Sequence, residues 1–287
     1  MASIERQAAT IYREVRQTPR LLRLPSFRAV AAGAVSAILL PLGHTYHQLQ
    51  LLMTIAGVAA TPAQIIAQVA WIRLTIDGDL KIQITGAEAA YLANLYATRN
   101  SAAVIQNGIL PLFLARPWES EIDAIDGPAY GTEGIDSAQL EVELTGAATI
   151  NAIVARGLVT KGTPMGRHLC IRRHVDNHGA AGDKEISDFS KRIDIQMYGL
   201  HIATGLITAV ELRADDVVEW EGAPAFHFST LRAQGINPDP ANWWSLLFNF
   251  RGRPLDGLPM VMQDLRLRLT TSGALNNFVM LREQIEG

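Results

Sequence analysis

The sequence predicts an all-β chain of two similar antiparallel sandwiches in tandem, preceded by an amphipathic helix and interrupted by a few short helices. Three observations carry this. From Phe27 onward, short runs of alternating or β-branched residues are separated by turn chemistry, the pattern of a many-stranded sandwich or barrel. Leu140-x-Val142-x-Leu144-Thr145, followed by Ile150-Asn151 and Val154, is matched without a gap by Leu265-x-Leu267-x-Leu269-Thr270, Leu275-Asn276 and Val279, an offset of 125 residues. Leu112-Phe113 and Arg116 are matched by Leu247-Phe248 and Arg251 at an offset of 135. Periods of this length exceed any solenoid repeat and indicate two copies of one β domain.

The elements follow in order. Ile4, Ala8, Ile11 and Val15 recur at helical spacing among arginines and glutamines, with Ser3 as N-cap, so the chain opens on an amphipathic helix. Pro19 ends it near Gln17, and an extended arm from Arg20 to Pro25 follows. Trp71–Ile76 and Leu80–Ile84 alternate on either side of Asp77-Gly78-Asp79, a tight hairpin signal. Leu140–Leu144 and Leu265–Leu269 are period-two strands with one charged face, and Ala87–Ala97 and Phe226–Gln234 are the helix candidates. About eight strands per half is what one jelly roll needs. Gly and Pro concentrate in Val159–Gly166, which sets the domains as 1–26 (basic helix and arm), 27–161 (first sandwich) and 162–287 (second sandwich). Loops 123–136 and 234–243, rich in Gly, Pro and Asp, are expected to be exposed tower or contact loops.

Composition narrows the function. At 287 residues and 48% hydrophobic, the chain can bury a large core without staples, and the 18% charged fraction is low for a monomer's surface. A net charge of −3 excludes a generally basic nucleic-acid coat. The positive charge is local: six arginines against two glutamates between Met1 and Arg28 give a net +4, leaving −7 elsewhere. The single cysteine, Cys170, excludes an internal disulfide and any multi-cysteine metal site, and its apolar neighbours make it a small buried hydrophobe. Ala29–Leu42 is too short and too broken by Gly33, Ser36 and Pro41 for a membrane span, and the N-terminus lacks signal-peptide order.

A search for chemistry returns little. His44 and His47 are three apart in a strand and so are expected to face opposite ways, and no metal site is predicted. The acid pairs Asp123/Asp126 and Asp215/Asp216 belong to no calcium loop, and no nucleophile elbow, Walker loop or dinucleotide fingerprint is present. Arg172-Arg173-His174 with His178 could form a phosphate or anion site but read rather as solvated loop or interface groups, and Trp243-Trp244 as core and interface packing. No enzyme activity is expected.

Six collinear segments spanning about nine-tenths of the chain resemble the major capsid protein of corticoviruses, tailless icosahedral bacteriophages with an internal lipid membrane. They are Val30–Gly33 with Leu40–Tyr46, Thr61–Ile65, Ile72–Leu80, Phe113–Glu119, Leu169–Arg173 and Met262–Leu267. The resemblance implies a double jelly roll, two eight-stranded sandwiches side by side, with three subunits presenting six sandwiches as a pseudo-hexagonal capsomer. Implied partners are a homotrimer, neighbouring capsomers, a penton or vertex protein and the internal membrane or its proteins, with no sequence-specific nucleic-acid binding. The implied location is the virion capsid, assembled in the host cytoplasm. No organic cofactor is implied, and calcium at subunit contacts is allowed without assignable ligands. The corticovirus relatives begin near the Val30 segment, so the helix and arm look like an addition whose Arg6, Arg13, Arg16, Arg20 and Arg23 would meet the membrane or a neighbouring capsomer. Two other classes remain: a carbohydrate- or receptor-binding sandwich using Trp118, Trp243 and Trp244, and a cupin-like enzyme, which would need clustered histidines.

Overall fold

The structure, a computed structural model, describes residues 19–96, 105–116, 127–248 and 257–287. Asp77 and Gly78 both take positive φ, 49° and 81°, and close the expected hairpin between Val69–Ile76 and Asp79–Ile84. This turn matches the right-handed twist of the strands it joins. Asp77 Oδ1 also accepts from the Asp136 and Ser137 amides, which pins the hairpin to the next strand over.

The strands of the first half are β1 (Arg20–Arg23), β2 (Val35–Leu39), β3 (His44–Ile55), β4 (Val58–Ala59), β5 (Val69–Ile76), β6 (Asp79–Ile84), β7 (Ile109–Phe113), β8 (Tyr130–Gly131), β9 (Ala138–Leu144) and β10 (Ala152–Lys161). Those of the second half are β11 (His168–His178), β12 (Gly182–Ile186), β13 (Ile195–Ile202), β14 (Ile207–Ala214), β15 (Val217–Gly222), β16 (Trp244–Leu247), β17 (Leu258–Pro259), β18 (Leu265–Thr271) and β19 (Leu275–Glu286). Three helices are described: α1 (Pro62–Gln68), α2 (Gly86–Leu95) and α3 (Pro224–Ala233).

The first half pairs its strands as β1-β10-β3-β7 in one sheet and β2-β9-β5-β6 in the other. The second half repeats the order as β11-β19-β13-β16 and β12-β18-β14-β15. The remaining strands, β4, β8 and β17, are two-residue rungs on β3 and β13. The fold is therefore a double jelly roll. The offset of 125 is the correspondence of β9 and β10 with β18 and β19, and the offset of 135 that of β7 with β16. Helices α2 and α3 follow the equivalent strands β6 and β15.

One feature joins the two rolls at the level of backbone. Edge strands β6 and β11 run parallel and meet at Ile82 and Ile171, so a single sheet of nine strands crosses both sandwiches.

The structure departs from the sequence reading in four places. Arg20–Arg23 is no free arm: it lies antiparallel on β10, with Arg20 opposite Val159 and Arg23 opposite Arg156, as an edge strand of the first roll. Helix α1 was not anticipated, although Thr61 and Gln64 form a capping box in which each side chain satisfies the other's backbone amide (2.8 and 3.3 Å). Within the 123–136 loop, residues 128–132 are buried and supply β8, so this part is no exposed tower. The 234–243 loop is tied down at both ends, by the Asn237 amide donating to Leu95 O and by Trp243 stacking on Tyr91. The N-terminal helix, with Arg6, Arg13 and Arg16, and Trp118, Asp123, Asp126 and Arg251 lie outside the described residues.

Each roll has its own apolar core. That of the first, built on Leu49, Leu51, Met53, Ile72 and Val142, extends across the junction to include Leu169, Ile171, Leu247 and Leu281. The second is centred on Leu200, Leu212, Trp244, Leu267 and Met280.

Candidate assembly site: the buried junction between the two rolls

Helix α2 is seated at this junction. Thr85 caps it and Glu88 completes a capping box, with the Thr85 amide donating to Glu88 Oε2 at 2.9 Å and the Glu88 amide to Thr85 Oγ1 at 3.2 Å. Its first residue is Gly86 because a Cβ there would fall 2.8 Å from both Ile65 O and Val69 Cβ, at the crossing with α1. Three of its alanines, Ala89, Ala90 and Ala93, are buried, which lets a helix fit between two sandwiches. Toward the second roll the helix and its C-cap residue present polar groups: Glu88, Tyr91 and Tyr96.

The second roll answers with His201 on β13, Ser245 on β16 and Glu283 on β19, each at most 1% exposed. Ser245 Oγ is hydrogen-bonded to Tyr91 Oη and lies 2.9 Å from His201 Nδ1. His201 Nε2 faces Glu283 Oε2 at 3.4 Å. Tyr96 donates its hydroxyl to the same Glu283 oxygen, while Arg116, just beyond β7, donates from Nη2 to Glu283 Oε1 at 2.9 Å. The Arg116 guanidinium also lies 4.8 Å from the Tyr96 ring centroid. Burial alone would raise the Glu283 carboxyl; Arg116, then His201 and Tyr96, outweigh it and hold it down at about 2. Burial raises both tyrosines, so their hydroxyls stay protonated donors. Gly199, on β13 opposite Glu283, completes the pocket: a Cβ there would meet His201 Nε2 at 2.9 Å and Glu283 Oε2 at 3.0 Å.

Ser245, His201 and Glu283 are the residue types of a nucleophile relay, yet all three are buried and the carboxylate is engaged by Arg116 and Tyr96. What such a network does is fix one relative position of two bodies, because any shift strands a buried charge.

The residues singled out from sequence fall around this network. Arg173 on β11 donates to Glu88 at 2.8 Å and lies 5.0 Å over the Trp71 ring. Arg172 donates to Leu80 O at 2.6 Å and forks onto Glu286. The Trp243 ring stacks on Tyr91 at 4.1 Å and 7°. Arg172, Arg173 and Trp243 thus reach from the second roll to the first within one chain, whereas Trp244 points the other way and is buried in the second core. His47 is buried against Thr160 Oγ1 at 2.9 Å. His174 pairs with Asp188 at 3.4 Å. Cys170 is fully buried, and burial with the nearby Glu286 carboxylate pushes its thiol up to about 12.

The sequence reading did not assign Tyr91, Tyr96, Arg116, His201, Ser245 or Glu283. A signal existed in Arg282-Glu283-Gln284: three consecutive polar residues between apolar Leu281 and Ile285, all buried, mark a stretch of strand enclosed on both faces.

A chain folded into two jelly rolls of one strand order, locked together by a closed polar junction, belongs to the class of double jelly-roll viral coat proteins. Residues 21–160 match the viral coat protein P2 N-terminal domain and residues 169–287 the viral coat protein P2 C-terminal domain. The chain belongs to the viral coat protein P2 family. It is 27% identical over 199 residues to the major capsid protein P2 of Pseudoalteromonas phage PM2, covering 68% of this chain and 69% of that protein. The crystal structure of the PM2 protein superimposes with a TM-score of 0.82 at 22% identity, over 94% of this chain and 97% of that one. A chain of the Sulfolobus turreted icosahedral virus structure is similar in fold at 11% identity, with a TM-score of 0.67 over 93% and 90% of the two chains.

Proposed function

We propose that this coat protein is the major capsid protein of an icosahedral virion, and that its homotrimers present six jelly rolls as a pseudo-hexagonal capsomer. The observation that carries the reading is the fixed side-by-side seating of two rolls of identical strand order, spanned by one continuous sheet and closed by the Arg116–Glu283 junction. Three such chains fill a hexagonal lattice position with six near-equivalent bodies, while a vertex protein fills the five-fold positions. The low charge fraction fits a surface largely covered by neighbours in the shell. The chain works by burying surface and turns over no substrate.

The capsid encloses an internal lipid membrane in this reading, and the basic N-terminal segment faces it. Arg20 and Arg23 are the first and last residues of strand β1 and are exposed, and Arg6, Arg13 and Arg16 precede it. Basic residues near an anionic bilayer contribute about 1 kcal/mol each at modest salt. Calcium at subunit contacts and assembly in the host cytoplasm belong to the same reading. The sugar-platform alternative loses two of its three tryptophans, because Trp244 is in the core and Trp243 is stacked inside the chain.

Mass in solution with negative-stain imaging tests the proposal: the expected result is a stable trimer of hexagonal outline, and a monomer that binds glycans overturns it. Flotation with anionic liposomes, comparing the full chain with one starting at Pro25, tests the membrane contact; equal flotation overturns that part.

A further inference from the structure

The alternation of β11 places His168 and Cys170 on one face, and the antiparallel register sets His168 directly opposite Glu286 on β19. A ring nitrogen of His168, the Cys170 sulfur and a Glu286 carboxylate oxygen all lie within 4.8 Å of one another, and all three residues are buried. We propose that these three side chains form a binding site for a thiophilic divalent cation of the zinc class.

Two details of the histidine argue for a ligand. Its Nδ1 lies 3.0 Å from Gly166 O, which fixes the proton on Nδ1 and leaves the Nε2 lone pair outward. That Nε2 is closed to solvent and has no hydrogen-bond partner among the described residues, although His168 is only 7% exposed. A backbone carbonyl orienting one imidazole nitrogen while the other is left for a metal is the usual outer support of a histidine ligand. The carboxylate is supported in the same way: Arg172 donates from Nη2 to both Glu286 oxygens, at 3.0 and 3.2 Å, and from Nη1 to Leu80 O at 2.6 Å.

The donor set selects the ion. Thiolate and imidazole favour zinc and its neighbours, whereas calcium takes hard oxygen ligands only. Tetrahedral zinc with bonds of about 2.0–2.3 Å needs ligand atoms roughly 3.4–3.8 Å apart, so the side chains draw in by about 1 Å on binding. The fourth position falls to water. Ligation replaces the Cys170 S–H bond by a sulfur–metal bond, and the proton leaves to solvent. The ion would clamp the first strand of the second roll to its last, beside the point where β11 meets β6 of the first roll.

The test uses the full-length protein, stripped of metal and titrated with cobalt(II) as a spectroscopic stand-in for zinc. The expected result is about one cobalt ion per chain with a sulfur-to-cobalt charge-transfer band, displaced by zinc. Cys170→Ser should abolish the band, and His168→Ala and Glu286→Gln should each weaken binding at least about tenfold. Circular dichroism of each variant confirms folding. Should Cys170→Ser not fold, loss of the charge-transfer band in a folded Cys170→Ala variant reads the same contact. Absence of a charge-transfer band in the folded wild type, or equal zinc binding by wild type and the His168→Ala and Glu286→Gln variants, overturns the proposal.

Discussion

Arg116 of the first jelly roll donates to Glu283 of the second across 2.9 Å, and both side chains are at most 2% exposed. They are 167 residues apart in sequence, so this contact forms only when the two rolls are seated together.

Removing one partner of such a pair leaves the other as a buried, uncompensated charge. Arg116→Met is therefore expected to cost about 3–5 kcal/mol, measured by denaturant unfolding, whereas the double variant Arg116→Met/Glu283→Leu recovers most of the loss because no charge is left behind. A double variant as unstable as the single one would show that the pair is held by shape and not by charge.

Two buried groups contribute to the acid limit, in different windows. Burial holds His227 down at about 4, and the Trp220 indole N–H donates to its Nε2, a bond that only the neutral ring accepts. Below pH 6.5 the unfolded chain takes up a proton that the folded chain refuses until about pH 4, so stability falls as the pH is lowered through that interval. Glu283 acts lower: its depressed folded value means a contribution fully present above 4.5 and lost as the pH falls toward about 2. Unfolding midpoints against pH should show both slopes, and His227→Gln should flatten only the upper one. An unchanged upper slope in that variant would assign it to other groups.

Gly199→Ala places a methyl carbon about where His201 and Glu283 meet, within 3.0 Å of both. Since the neighbours are themselves locked by hydrogen bonds, the expected cost is about 1–3 kcal/mol, read as a lowered thermal midpoint. A midpoint equal to wild type would mean that the network has slack.

Trp243→Ala removes the stack on Tyr91 and frees one end of the 234–243 loop. The expected loss is about 2 kcal/mol, the area term and the stacking term together. Limited proteolysis should then cut first between residues 234 and 242; cleavage confined elsewhere would show that the Asn237–Leu95 hydrogen bond alone secures the loop.

The elements legible in the sequence are those whose cause is local or repeated. Asp77-Gly78 states its own turn, α2 carries its own cap, and the duplicated spacing of β9-β10 and β18-β19 exposes the two domains without any contact being known. Strand β1 was not legible, because Arg20-Leu21-Leu22-Arg23 does not alternate and its strand state comes from β10, far along the chain. Helix α1 has a readable cap but only seven residues, too few for periodicity to show. The junction was illegible for a different reason. Tyr91 and Ser245 are 154 positions apart and Tyr96 and Glu283 are 187, so nothing near either member announces the other. The same holds for Glu286 beside His168, although the His168-x-Cys170 alternation was in plain view.

The rolls share one strand order, but the surfaces on which they meet are unlike: tyrosines and an arginine come from the first, a histidine, a serine and a carboxylate from the second. The duplicated halves have thus become lock and key, and neither can stand in for the other. In a ring of three chains the six edges would alternate between a permanent seam inside each chain and a different, separable one between chains. A shell assembled from such a ring would have fault lines at every second edge, so it would open and close in units of whole chains and never through the middle of one.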